Sequence, residues 1–127
     1  MLSDIQNRAD IELLMEHFYN KLLEDKSIAY LFTDVAKIDL KAHLPRIVDF
    51  WENILFNSVT FNGNVFEKHL QLHQLSSLKK EHFDTWLTHL YQSTDELFVG
   101  NNAEKLKTRA LSIATIMQSK ILSHGQK

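Results

Sequence analysis

Four side chains of this 127-residue chain could do chemistry together: His69, His43, Tyr19 and Trp86. His69 closes the short segment GNVFEKHL, just ahead of the long aromatic stretch EHFDTWLTHLYQSTDELF that carries Trp86. His43 lies on the apolar stripe of LKAHLPRIVDFWENIL, and Tyr19 lies on that of IELLMEHFYNKLL. One imidazole on one wall, facing polar groups set among aromatics on the other, is the arrangement required by a haem that keeps an open gas site. A phenol or indole N–H on an apolar face needs a partner, and iron-bound dioxygen, with partial negative charge on its outer atom, can supply one. Phe32, Ile47, Phe50, Phe83 and Leu90 are the neighbours expected to sandwich the porphyrin and keep it dry. Arg46, one helical turn beyond His43, is expected to reach a propionate with its fork of donors. Taken singly, Tyr19 also reads as a core-edge tyrosine with its hydroxyl in water, and His43 as a half-buried histidine with no ligand role. It is their combination that points to a site.

Two other chemistries are weaker. His69 and His73 stand four apart, the spacing that puts two imidazoles on one helix face, but the residues between them lack the glutamate of a zinc-hydrolase helix. His73 remains the alternative to His69 as an iron ligand. The three glycines, Gly63, Gly100 and Gly125, form neither a nucleophile elbow nor a phosphate loop.

Composition narrows the field further. The 14 basic and 16 acidic residues give a formal net charge of −2 with no basic run, so neither a nucleic-acid footprint nor a polybasic membrane patch is expected. The absence of cysteine removes disulfides, thiolate metal sites and covalent haem attachment. The polar start MLSDIQNRAD lacks a signal core, and no run approaches the ~18 apolar residues of a membrane span, so a cytoplasmic protein is expected. The length suits one domain over residues 1–127, burying roughly two thirds of its unfolded surface.

The elements that must position these residues read as all-α. There are one proline and three glycines, and apolar residues recur three and four apart. From Ile11, a face of Leu14, Met15, Phe18, Tyr19 and Leu22 precedes the polar stop Glu24-Asp25-Lys26. A short helical piece, SIAYLF, ends at Phe32. The stripe Leu40, His43, Leu44, Ile47, Phe50, Trp51, Ile54 and Leu55 contains Pro45, so regular helix is expected from about Leu44, with a looser turn before it. Residues 57–66 read as a loop, Val65 to Leu72 as a short helix bearing His69, and Gln74 to Leu78 as an irregular link. A helix bearing Phe83, Trp86, Leu87, Leu90 and Tyr91 should stop at Gly100 as its cap, and the last helix should start at Asn102 as N-cap.

In this order the segments LLMEHFYNKLLED, LFTD, AHLPRIVDFWENIL, GNVFEKHL, EHFDTWLTHLYQSTDELFVG and RALSIATIM resemble the truncated haemoglobins, within them the group III branch, over nearly the whole chain. The resemblance implies a shortened globin fold, two helices packed over two around haem b (iron protoporphyrin IX). It also implies His69 as the proximal ligand, Tyr19 and Trp86 as distal donors, His43 as the distal histidine, and Phe32 packed on the haem. The implied ligands are dioxygen and other diatomic gases. The expected role is reaction with bound gas, through nitric oxide or peroxide chemistry, rather than transport; electrons would come from a separate reductase. The second reading is a haem-free helical module of globin shape that serves interaction or sensing.

Overall fold

Helix α1, Arg8–Glu24, starts where Asn7 caps it: the Asn7 side chain accepts the N–H of Asp10 at 3.0 Å. The cap lies upstream of the apolar pattern, so the helix begins before Ile11. It buries the predicted stripe, Ile11, Leu14, Met15, Phe18, Tyr19 and Leu22. Beyond its end, Asp25 accepts from Ser27 Oγ at 2.7 Å and Ser27 N at 2.9 Å, and its other oxygen lies 2.7 Å from His89 Nε2. The Ser27 hydroxyl first, and His89 next, hold the Asp25 carboxyl at about 2. The structure, a computed structural model, describes residues 2–35, 39–56 and 78–125.

The chain then winds through a wide π-helical turn, Leu31–Val35, which carries Phe32 and extends past the expected end. Helix α2 runs Leu40–Phe56 with Pro45 inside it. The looser opening expected there is not observed: Asp39 organises the first turn, its carbonyl accepting the N–H groups of Ala42 (3.1 Å) and His43 (2.9 Å), and its Oδ1 that of Lys41 (3.1 Å). Pro45 leaves the Lys41 carbonyl without its usual donor, but both residues are exposed, so water can satisfy it. His43 is therefore carried by regular helix.

Helix α3 spans Lys80–Leu97 and helix α4 spans Asn101–Gly125. The turn between them differs from expectation. Asp4, from the start of the chain, caps α4: its two oxygens accept the N–H groups of Asn102 and Ala103, each at 2.9 Å. Burial raises the Asp4 carboxyl, but the backbone donors of Asn102, Ala103, Ile5 and Asn101 outweigh it and leave a net lowering. Asn102 instead donates its side-chain amide to the Ile5 carbonyl at 2.8 Å. Gly100, at φ +145°, does not cap α3; it makes room, since a Cβ there would lie 2.5 Å from Asp4 Cγ.

Helix α1 packs on α2 and α3, α3 on α4, and α2 on α4, giving two helices over two. The main core joins the α1 stripe to Val48, Trp51, Leu55, Leu90, Phe98, Ala103, Leu106 and Ala110. Arg8 Nη1 fastens α1 to α2 through Asp49 Oδ1 (2.7 Å) and Glu52 Oε1 (3.0 Å), and Lys21 fastens it to α3 through Glu96 Oε1 at 2.6 Å. Among the described residues α2 and α3 share no extensive contact, so they can stand as separate walls. No helix among the described residues is long and apolar enough to cross a membrane. The expected loop over 57–66, the short helix bearing His69 and the link through residue 77 lie outside the described residues.

Candidate functional site

Residues from α1, the π-helical turn and α2 meet around Tyr19. It faces inward on the α1 stripe and is 5% exposed. Its hydroxyl lies 3.2 Å from His43 Nε2. Burial pushes the phenol well above its ordinary value, so it stays protonated and keeps a proton to donate. It gives that proton to Nε2 when the imidazole is protonated on Nδ1, and accepts from Nε2–H in the other tautomer. The pair is thus a hydrogen bond that can reverse direction without ionising the tyrosine.

Aromatic edges fix the phenol in place. The Tyr19 ring meets Phe32 at 5.8 Å and His43 at 5.6 Å, both nearly perpendicular, at 85° and 83°. On its other side Phe18 is 5.3 Å from Tyr19 and 5.9 Å from Trp86, edge-on to both. Phe18 is therefore the link that relates Trp86 on α3 to Tyr19 on α1, a role its place on the apolar stripe does not advertise. Trp86 is half-buried, and its indole N–H has no hydrogen-bond partner among the described residues.

The remaining expected residues separate into four groups. Phe32, Ile47 and Phe50 are half-buried and pack on the main core; Phe32 touches Tyr19, and Phe50 meets Trp51 edge-on at 5.3 Å. Leu90, at 0% exposure, lies wholly within the core, and Phe83 belongs to a smaller cluster with Ala114 and Met117. Arg46 is exposed on α2. His69 and His73 lie outside the described residues. Reading the residues singly also missed Tyr30 and His82, which touch each other across the fold; neither sits in a motif that would mark it.

No protein-family model matches the chain. The chain is 28% identical over 122 residues to the group 3 truncated hemoglobin ctb of Campylobacter jejuni, an alignment that covers 94% of each. The crystal structure of a group III truncated hemoglobin from Campylobacter jejuni superposes with a TM-score of 0.83 at 28% identity, covering 95% of both chains. All-helical among the described residues, with two helices over two and this superposition, the fold is that of a truncated globin. The two comparisons agree on the branch as well and support the group III truncated haemoglobins, as the ordered segments implied.

Proposed function

We propose that the chain is a haem b globin that binds dioxygen and other diatomic gases and reacts with them rather than carrying them. The observation that carries this reading is the buried Tyr19 hydroxyl 3.2 Å from His43 Nε2, a protonated donor paired to a group that can release it. The donor set suits the cofactor: a neutral phenol, an imidazole and an uncommitted indole N–H, with Phe32 against the phenol and half-buried Ile47 and Phe50 on the same helix as His43 supplying apolar surface for a macrocycle. When bound, haem supplies an iron with one position open to a small ligand. His69 is the residue assigned to hold the iron from the opposite side, with His73 as its alternative, and Arg46 the one assigned to a propionate.

Toward that ligand the chain's own groups have distinct tasks. Tyr19 donates its O–H to a partly negative ligand atom, and Trp86 donates its indole N–H. His43, half-buried and bonded to Tyr19, is assigned the control of ligand entry. Several donors converging on one small ligand slow its release, and slow release defeats delivery. The same donors stabilise charge that develops when the ligand reacts, a form of electrostatic catalysis. Electrons are assigned to a separate reductase, the compartment to the cytoplasm, and the whole of residues 1–127 to a single domain.

Stopped-flow mixing of the dioxygen-loaded protein with nitric oxide tests the reactive role. Rapid conversion to ferric haem with nitrate as product is expected. Fast dioxygen release with no reaction would leave a carrier or a sensor.

A further inference from the structure

Outside the Tyr19 cluster, one pair of side chains spans two of the segments that build it. Tyr30, just before the π-helical turn, lies with its hydroxyl 3.0 Å from Nε2 of His82, in the first turn of α3. Their rings meet edge-on at 5.9 Å, and both are half-buried. The other ring nitrogen of His82 is also occupied: Nδ1 accepts the backbone N–H of Lys79 at 3.0 Å. A neutral imidazole carries one proton, so with Nδ1 accepting, that proton sits on Nε2 and is donated to Tyr30. Burial, acting first, holds His82 below the usual histidine range, and of its charged neighbours Glu81 opposes this and Lys79 adds to it; the net lowering favours the neutral form.

His82 is the third residue of α3, the position at which glutamine or glutamate reaches back to the start of a helix in a capping box. It does that work with one nitrogen and fastens the helix to Tyr30 with the other. Trp86 stands one turn further along α3, and Phe32 stands two residues beyond Tyr30. Tracing contacts gives a closed circuit: Tyr30 to His82, along α3 to Trp86, across Phe18 to Tyr19, on to Phe32 and back to Tyr30. Five of its six links are packing contacts or chain, which tolerate small displacements. The Tyr30–His82 bond is the polar link, with the narrowest geometry.

We infer that Tyr30 and His82 form a positioning pair that sets where Trp86 stands relative to Tyr19, and so tunes how tightly a diatomic ligand is held. The inference rests on the reading of Trp86 as a ligand donor. Neither residue is assigned any contact with the ligand; both act through α3.

Two readouts test it. In the haem-free full chain, acrylamide quenching of tryptophan emission reports mainly Trp86, because Trp51 is 3% exposed. In the haem-loaded chain, the dioxygen dissociation rate reports the donor. Tyr30→Phe, which removes one oxygen atom, and His82→Ala should each raise quenching and speed release by about three- to tenfold, and the double variant should do no more than either alone. His82→Gln, which can accept from Lys79 and donate to Tyr30, should stay within about twofold of the unaltered chain. Unchanged quenching and release in Tyr30→Phe and His82→Ala, with Trp86→Phe still speeding release, overturns the inference. If Trp86→Phe fails to speed release, the donor reading falls instead, and quenching in the haem-free chain still decides whether the pair positions Trp86.

Discussion

Replacing His69 with alanine should abolish stable haem binding, whereas His73→Ala should keep it. The expectation rests on local order in the sequence. In the sequence His69 lies near the end of the short segment after Gly63 that is expected to be helical, from which an imidazole could point toward a macrocycle while its other nitrogen finds a carbonyl acceptor that fixes the tautomer. His73 stands four residues further on, toward the link to α3. Without cysteine the chain cannot attach haem covalently, so on the proposed reading loss of the assigned imidazole removes the iron ligand and leaves only non-covalent contacts with the porphyrin. Titration of each variant with haem, followed at the Soret band, measures the effect. Loss of haem in His73→Ala with retention in His69→Ala would exchange the two roles.

The next largest effect is on ligand release. Tyr19→Phe should speed dioxygen dissociation about tenfold or more, since a hydrogen bond to a partly charged ligand in a dry pocket is worth on the order of 1.5 to 3 kcal/mol. The substitution is clean, because phenylalanine keeps the edge-on contacts with Phe18, Phe32 and His43 and removes only the hydroxyl. Trp86→Phe should act in the same direction by removing the indole N–H. His43→Ala should change release less and entry more, because His43 bonds to Tyr19 and is half-buried where Tyr19 is buried. Flash photolysis or stopped-flow displacement by carbon monoxide gives the rates. Unchanged rates in both Tyr19→Phe and Trp86→Phe would remove these residues from the site, and a larger effect from His43→Ala would make the histidine the main donor.

The helices were readable because burial imposes a period. The α1 stripe from Ile11 to Leu22 is the one observed, and so are the apolar faces of α2 and α3. What the period hides is any contact made across the fold. Asp4 caps α4 from the opposite end of the chain, so Asn102 looked like the cap and Gly100 like a helix terminator when it is the space that Asp4 fills. Pro45 was read by its local rule, which allows for neither the Asp39 turn that starts α2 ahead of it nor the water-exposed carbonyl it leaves. Within the site, Tyr19 and His43 were legible as polar residues on apolar stripes. Their direct bond, and the Phe18 bridge to Trp86, arise only when three helices pack together.

A visible spectrum of the full chain titrated with haem tests most directly whether this fold is a working globin. One equivalent of haem should produce a saturating Soret band that shifts on reduction with dithionite and shifts again on adding carbon monoxide. A spectrum that remains that of free haem throughout would contradict haem binding and leave the chain a globin-shaped helical module for interaction or sensing.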